Sequence, residues 1–389
     1  MDRHNVMILS AGAGNGHNRA GQALKKAFVS DKRVKQAIFV DCLNYTNEAF
    51  KEVYSHLFLE AVKKAPTLWG WAFEKTDVPW RDVNIRWWFE RINAQRLVRK
   101  IKRFKPTVCV CTHFMPAMII SRMLKKGKID THLSVVVTDY YVHAMWLTDL
   151  FCRYFVPHHE GRMQLLSLGF PDERVVVSGI PIDPVFAQQK SRASLIEEFD
   201  LADDLPTILF SAGSVDKMSA RQMITLMETI HSPCQVVILC GKHNRLRQDL
   251  EELISARRRS SLRLRTLGFT DRMDEWMTVA DLLISKPGGL TLTESLSKGL
   301  PMVIWDPIPG QEVYNSVFLL ENGAAVAPTS KSTLGFKVDR ILSDPRCLCR
   351  MQQAASSLAH PDAAVNIVET VLRNLHETPV RIPKLSRGD

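Results

Sequence analysis

Two segments of the first half carry histidine and carboxylate side chains directly after predicted strands. Residues 10–17 read Ser-Ala-Gly-Ala-Gly-Asn-Gly-His and lead from an apolar strand into a helical pattern. Glycines in such a turn let the backbone approach a ligand, and a helix N-terminus favours negative charge. Asp139, followed by His143, ends the apolar run 135–138. Because open α/β sheets bind ligands beyond the carboxyl ends of their strands, we expect His17 and Asp139 to face one crevice, where a neutral His17 could remove a hydroxyl proton.

The glycine loop also invites a dinucleotide-binding interpretation. Asp41 ends the next strand, about where a ribose-binding acid belongs in that motif. However, if Gly12 and Gly14 are the first two glycines of the motif, His17 occupies the position of the third, where a bulky ring would block helix–strand packing. The sequence therefore disfavours a nicotinamide-dependent dehydrogenase. A loop histidine is also common as a cap, and an acid after a strand is also common in turns.

The second half contains a longer strand–turn–helix motif. Residues 285–294 read Ser-Lys-Pro-Gly-Gly-Leu-Thr-Leu-Thr-Glu, so a helix begins at two glycines and carries Glu294 in its second turn. Such a helix start suits a phosphate, and the carboxylate can accept ribose hydroxyls. Gln311 and Glu312 follow the next strand and suit sugar hydroxyls. We expect this half to bind a nucleoside diphosphate, with further loops after neighbouring strands at 211–214, 240–242 and 268–270.

Elements of alternating type must position these residues. β-rich runs alternate with helical stretches throughout, which predicts two parallel α/β domains. The segment Gly-Ile-Pro-Ile-Asp-Pro at 179–184 is typical of a domain crossing. The predicted strands cover residues 5–10, 37–41, 108–112, 133–138, 151–156 and 175–178 in the first half, and 207–210, 235–239, 262–267, 281–285 and 301–305 in the second.

The amino-acid composition narrows the structural class of the protein. The chain has 389 residues, 46% hydrophobic and 24% charged, which fits a globular protein with a sizeable core and excludes a disordered or fibrous one. No stretch is long and apolar enough to suggest a membrane span. Eight cysteines without a disulfide or zinc spacing favour a reducing compartment, so we expect a cytoplasmic protein.

Positive charge is concentrated in the first half. The formal net charge is +10, and residues 1–186 hold 27 basic and 17 acidic residues, whereas the remainder is balanced. Residues 62–105 alone carry 12 basic and 4 acidic residues. Basic residues with interfacial indole rings are typical of an anionic membrane surface, although tryptophans can also pack inward and single-stranded nucleic-acid platforms share the composition. The tryptophans predicted to contact the membrane are Trp69, Trp71, Trp80, Trp87 and Trp88.

These motifs together resemble the monogalactosyldiacylglycerol synthase and processive diacylglycerol glucosyltransferase group of glycosyltransferase family 28. The resemblance extends from about residue 5 to 375 and is carried by the Gly-Asn-Gly-His loop at 14–17, Thr138-Asp139 with His143, the crossing at 179–183, and the run from Lys286 to Glu312. It implies a GT-B fold, in which two Rossmann-like domains with parallel sheets face each other across a cleft. It also implies an inverting transfer without a bound cofactor or catalytic metal.

The resemblance further implies that the two domains bind different substrates. Residues 1–183 would bind the acceptor lipid, with 62–105 contacting the membrane, and 184–362 would bind the nucleotide sugar. A helix at 363–378 would cross back to the first domain, followed by a loose tail at 379–389. By similarity, His17 or Asp139 is the catalytic base, and Gly16, His17 and His143 bind the acceptor. The expected donor-binding residues are Gly213, Ser214, Phe269, Gly288, Gly289, Thr291, Glu294, Gln311 and Glu312.

The function predicted from the sequence is transfer of a hexose from a UDP-sugar to diacylglycerol, by a cytoplasmic protein held at an anionic membrane surface. Two alternatives remain at this point. One is a transferase of the same fold that uses a polyprenyl-linked or soluble acceptor. The other is a non-catalytic binder of nucleotides or single-stranded nucleic acid, although no nucleic-acid-binding signature accompanies the basic segment, and we expect no such partner.

Overall fold

The computed structural model describes residues 3–12, 15–46, 65–80, 95–212, 218–257 and 262–382. Two compact units make up the chain. The first unit contains Met1–Pro184, Pro309–Gln311 and His360–Asp389, and the second contains Val185–Ile308 and Glu312–Ala359. The first crossing therefore falls at the end of the proline-rich segment identified in the sequence.

The first unit is built on a parallel sheet of six strands. Its strand order is β2-β1-β3-β4-β6-β7. The central strand β1 is buried from Val6 to Ser10, which explains its unbroken apolar sequence, because helices cover both faces of such a sheet. Its strands, with the short β5 that lies outside this sheet, are β1 His4–Ser10, β2 Val34–Asp41, β3 Val108–Cys111, β4 His132–Val136, β5 Leu150–Phe151, β6 Arg153–Val156 and β7 Val175–Val177.

Helices pack on the sheet of the first unit from the N-terminal part of the chain and from its far end. Val6 and Ile8 of β1 share one core with Phe28 of the first helix and with Ile367 and Val371 of the last. The last helix thereby belongs to the first unit. The helices are α1 Asn15–Val29, α2 Pro66–Thr76, α3 Gln95–Phe104, α4 Phe114–Lys125, α5 His159–Ser167 and, at the end of the chain, α14 Ala363–Arg373.

The end of the chain corrects one prediction. We expected residues 379–389 to be loose, yet Val380–Arg381 forms strand β14, which pairs antiparallel with β5, and Ile382 is buried. Glu377, just before this strand, forms ion pairs with Arg153 and with Arg174 (2.8 Å for the latter). The polar composition of the tail concealed these contacts, because they depend on partners more than 200 residues away. Residues 383–389 lie outside the described residues.

The second unit repeats the same kind of architecture. Its parallel sheet has the order β10-β9-β8-β11-β12-β13. Local signals explain several helices: Ser219 and Gln222 form a capping box at the start of one, and Asp344 caps another that begins at Pro345. The strands are β8 Thr207–Ser211, β9 Cys234–Gly241, β10 Leu262–Gly268, β11 Leu282–Ser285, β12 Met302–Ile304 and β13 Ala325–Val326. The helices are α6 Arg192–Glu198, α7 Ala220–Met227, α8 Asn244–Ser255, α9 Met273–Val279, α10 Gly289–Ser297, α11 Gln311–Glu321, α12 Leu334–Leu342 and α13 Pro345–Ser357.

Each sheet has one point where the chain changes direction across the sheet. In the first unit it lies between β1 and β3, and in the second between β8 and β11. Ligands of doubly wound sheets bind at such switch points, beyond the carboxyl ends of the strands. The segments that follow β1 and β3 carry His17 and His113, and the segment that follows β11 carries the Pro-Gly-Gly turn at 287–289.

Candidate active site

The carboxylate of Asp41 contacts described residues on both sides of the glycine loop after β1. Asp41 accepts hydrogen bonds from the Gly12 N–H (3.3 Å), the Asn18 side-chain amide (2.8 Å) and the Leu43 N–H (3.0 Å). A Cβ on Gly12 would lie 2.4 Å from Asn18 Nδ2 and 2.7 Å from Asp41 Oδ2, so a side chain at this position would displace Asn18 or Asp41. Asp41 thus links Gly12 to Asn18 in the first turn of α1. At Gly16, by contrast, no described atom lies within 4 Å of a Cβ position.

His17 lies at the centre of a group of side chains from the ends of β1, β3 and β4. Its Nδ1 is 2.6 Å from the hydroxyl of Thr138, and its backbone carbonyl accepts a hydrogen bond from the Thr112 hydroxyl (3.0 Å). The ring of His113 meets that of His17 edge to face at 4.8 Å, and the indole of Trp146 lies 6.1 Å away. Three strand ends therefore fix both the backbone and the ring of His17.

Asp139 lies beside this group. The indole N–H of Trp146 donates to Asp139 Oδ2 (3.1 Å), so Trp146 contacts both the His17 ring and the Asp139 carboxylate. Burial raises the pKa of Asp139, whereas the nearby charge of His17 and the indole hydrogen bond lower it. The structure thus brings together the two residues that we predicted as candidate bases, and Trp146 contacts both of them.

The two other histidines near this site cap short elements. His113 Nδ1 accepts from the Met115 N–H (3.1 Å) at the start of α4, and burial together with the charge of His17 lowers the pKa of His113 well below its usual range. His143 Nδ1 accepts from the Met145 N–H (3.1 Å), and its Nε2 lies 2.9 Å from the carbonyl oxygen of Phe73. Both ring nitrogens of His143 are therefore engaged, and this side chain anchors α2 to the segment after β4. Its predicted role as an acceptor ligand remains a prediction.

The predicted membrane-contacting tryptophans separate into different environments. Trp80 is partly buried, stacks on Phe170 with ring centroids 6.2 Å apart and packs against the core of the first unit, and its contact with a membrane stays a prediction. Trp69 is half-buried. Trp71 is 57% exposed, next to Leu68 on the same face of α2, which is 63% exposed. Trp87 and Trp88 lie outside the described residues.

Helix α3 carries most of the positive charge in the described part of residues 62–105. Its sequence Gln-Arg-Leu-Val-Arg-Lys-Ile-Lys-Arg-Phe contains five basic residues and no acidic one. Leu97 and Ile101 are buried, whereas four of the five basic residues are exposed. Among the described residues, no helix is both long and apolar enough to cross a membrane.

In the second unit, the Pro-Gly-Gly turn places a helix start beside a carboxylate. Gly288 is the N-cap of α10 and provides no side-chain cap for the N–H groups of the first turn. A Cβ on Gly288 would lie 3.7 Å from Glu312 Oε1, and Glu312 Oε2 accepts the Ile308 N–H (2.7 Å). Burial raises the pKa of Glu312 against the influence of that hydrogen bond and of Lys286. A helix N-terminus whose N-cap residue has no side chain can bind an anion through its N–H groups, and the neighbouring Glu312 carboxylate can accept a hydrogen bond from a hydroxyl group.

The remaining donor-side residues lie at the ends of neighbouring strands or on α10. Thr291 is half-buried and Glu294 is 2% exposed, both within α10. Phe269 follows β10 and is 69% exposed, with the ammonium of Lys242 5.3 Å from its ring centroid. Gln311 opens α11 in the short segment that groups with the first unit. Gly213 and Ser214 lie outside the described residues. Asn315, one turn further along α11, is buried and donates to the Pro287 carbonyl (2.9 Å), where it supports the Pro-Gly-Gly turn.

Comparison with known proteins assigns a family to each part of the chain. Residues 17–182 match the Monogalactosyldiacylglycerol (MGDG) synthase family, and residues 207–367 match the Glycosyltransferase family 28 C-terminal domain. A processive diacylglycerol beta-glucosyltransferase from Bacillus mycoides (strain KBAB4) is 29% identical over 382 residues, which are 97% of this chain and 96% of that protein. The protein of the same description from Bacillus cereus (strain AH187) is 28% identical, with the same two coverages.

Solved structures support the fold at lower sequence identity. The crystal structure of Acinetobacter baumannii MurG superposes with a TM-score of 0.63 at 17% identity, covering 95% of this chain and 99% of that one. The UDP-GlcNAc 2-epimerase of Neisseria meningitidis, bound to UDP-GlcNAc, gives 0.59 at 13% identity, covering 95% and 100%. With the two six-stranded parallel sheets described above, these similarities confirm the GT-B fold predicted from the sequence.

Proposed function

Because the chain belongs to the glycosyltransferases that join an MGDG synthase domain to a family 28 C-terminal domain, we propose that it transfers a hexose from a UDP-sugar to diacylglycerol with inversion at the anomeric carbon. It is a glycosyltransferase, and what we add is the acceptor, the stereochemistry and the residues. The observation that carries the proposal is the position of His17. It lies at the switch point of the very unit that matches MGDG synthase, fixed by Thr138 and Thr112 and close to Asp139.

On the acceptor side, His17 acts as the general base. A hydroxyl group of diacylglycerol gives its proton to the imidazole, while its oxygen forms a bond to the anomeric carbon of the sugar. The bond from that carbon to the diphosphate oxygen breaks, and UDP leaves with the electron pair from the opposite face. Positioned bases typically contribute a factor of about 10² to 10⁴ to such a step.

Asp139 supports the base without taking the proton itself. One of its oxygens accepts the Trp146 indole hydrogen, and its charge interacts with that of His17. A carboxylate near an imidazole stabilises the imidazolium that forms when the hydroxyl proton is transferred. The two residues that the sequence left as alternatives therefore have different roles in this proposal.

On the donor side, α10 receives the leaving diphosphate. The uncapped N–H groups at Gly289 and after it, with the helix dipole, stabilise the negative charge that gathers on UDP in the transition state. Glu312, held 2.7 Å from the Ile308 N–H, is placed beside Gly288 to accept a hydroxyl of the sugar. Phe269 offers an exposed ring for the uracil base, and we assign no step to a metal ion.

Contact with the membrane brings the enzyme to its lipid acceptor. The exposed basic face of α3 and the exposed pair Leu68 and Trp71 on α2 provide the two ingredients of interfacial binding, charge attraction to anionic lipids and apolar insertion. Both lie in the unit that matches MGDG synthase, so the lipid reaches the first unit directly from the bilayer surface.

A test of the proposal separates it from transfer to other acceptors. Purified protein is incubated with UDP-glucose, UDP-galactose or UDP-GlcNAc and with vesicles that contain diacylglycerol, a polyprenyl phosphate or no acceptor lipid. We expect a hexosylated lipid only with diacylglycerol, with a β-anomeric proton by NMR from the α-linked donor. Product from the polyprenyl lipid alone, or an α-linked product, would contradict the acceptor or the stereochemistry respectively.

A further inference from the structure

Thr138 is the hydrogen-bond partner of the His17 ring among the described residues. Its Oγ1 lies 2.6 Å from His17 Nδ1 and 3.3 Å from the carbonyl oxygen of Thr112. Thr112 in turn donates its hydroxyl to the His17 carbonyl. The three residues follow β4, β3 and β1, and Thr138 and Thr112 are buried at 5% and 0% exposure, so this arrangement is part of the packed sheet.

Both contacts of Thr138 Oγ1 can be hydrogen bonds at once only if its hydrogen points at the Thr112 carbonyl and the His17 ring donates. A hydroxyl carries one hydrogen, and the Thr112 carbonyl can only accept. With the Thr138 hydrogen directed at that carbonyl, Thr138 Oγ1 is left as an acceptor for His17 Nδ1. The proton of the neutral ring then resides on Nδ1, and Nε2 carries the lone pair.

We propose that Thr138 is a positioning residue that sets the tautomer and ring orientation of His17, a role for which other enzymes use a carboxylate. This inference rests on the proposed function, because it assigns to Nε2 the proton that His17 removes. A carboxylate at Thr138's position would add a second buried negative charge next to Asp139, whose own burial already disfavours its ionised form. A hydroxyl fixes the tautomer without that charge.

The test compares Thr138→Val with Thr138→Ser. Valine keeps the shape and removes the hydroxyl, whereas serine keeps the hydroxyl. We expect Thr138→Val to lower kcat about tenfold, because a single hydrogen bond typically favours one tautomer of the His17 ring over the other by about that factor. The KM values for both substrates should stay unchanged. Thr138→Ser should recover most of the activity. Thr131→Val is the matched control, since Thr131 is equally buried (5% exposed) in the same unit, and its kcat should stay at the wild-type value.

A spectroscopic measurement keeps the inference testable if the valine variant folds poorly. Two-bond ¹H–¹⁵N NMR of wild-type protein labelled with ¹⁵N-histidine reports which ring nitrogen is protonated, and His17→Ala identifies the resonance. We expect His17 to be protonated at Nδ1 in the neutral ring. Protonation at Nε2, or unchanged kcat in Thr138→Val, would overturn the role of Thr138. If instead the wild type makes no glycolipid while Nδ1 is protonated, the proposed function fails and the hydrogen bond stands.

Discussion

Replacing Gly12 by alanine should destabilise the first unit, whereas the same replacement at Gly16, the matched control, should not. In Gly12→Ala, the new methyl group would lie 2.4 Å from the Asn18 amide nitrogen, well inside van der Waals contact, so the Asn18 side chain must move away from Asp41. Overpacking of this kind costs about 1–3 kcal/mol, and a hydrogen bond to a charged acceptor contributes about 1.5–3 kcal/mol. We therefore expect a loss of about 3 kcal/mol.

Gly16→Ala adds the same methyl group four residues later, where no described atom lies within 4 Å. Alanine is also the better helix former, by up to about 1 kcal/mol, and Gly16 lies in the first turn of α1. Differential scanning calorimetry of the two variants should show a fall of about 6–12 °C for the first unit in Gly12→Ala and no fall in Gly16→Ala. Equal transition temperatures in the two variants would refute the assignment of Asp41 as the residue that links Gly12 to Asn18.

Two further predictions concern Asp139 and the membrane surface. Because burial raises the pKa of Asp139, the folded state binds its proton more tightly than the unfolded state, so the stability from this group is present at low pH and is lost as pH rises through the folded pKa. Asp139→Asn removes the charge that supports the His17 imidazolium, so it should lower kcat about tenfold or more. Because asparagine does not titrate in this range, the Tm of the variant relative to that of the wild type should rise from pH 4 to pH 7, and a relative Tm that falls over this interval would contradict the raised pKa of Asp139. The double variant Arg99→Gln/Lys102→Gln on α3 should bind anionic vesicles about 30-fold more weakly in a sedimentation assay, at roughly 1 kcal/mol per lost charge. Added salt should weaken vesicle binding by the wild type. The control Arg221→Gln/Arg245→Gln in the second unit should bind vesicles like the wild type. Equal losses in both double variants would remove α3 from the membrane contact.

The sheets were predictable because their central strands are short apolar runs between turns. The run at 5–10 is the strand His4–Ser10 in the structure, buried from Val6 onward, and the run at 235–239 is the strand Cys234–Gly241, buried except at its last residue. The two-residue strands at Ala325–Val326 and Val380–Arg381 gave no such signal. Their pairing depends on neighbours that the local sequence does not contain, so only tertiary structure reveals them.

The site was predictable in its location but not in its internal contacts. His17 and Asp139 could be found because glycine-rich turns and acids after buried strands have recognisable patterns. Thr138 had no comparable signal, since a threonine at the end of a strand is ordinary and its value lies in the 2.6 Å contact with a residue 121 positions away. The stacking of Trp80 on Phe170 had no signal either, because the basic neighbours of Trp80 indicate a surface and Phe170 lies 90 positions further along the chain.

The most direct test of the account is the glycolipid product formed by wild-type protein and by His17→Ala under the same conditions. Both proteins are supplied with diacylglycerol vesicles and the UDP-sugar that the wild type prefers, the product is quantified by mass spectrometry, and UDP binding is measured by calorimetry. We predict that His17→Ala binds UDP like the wild type and forms hexosyldiacylglycerol at least about a hundredfold more slowly. Product formation by His17→Ala at the wild-type rate would contradict the assignment of His17 as the base.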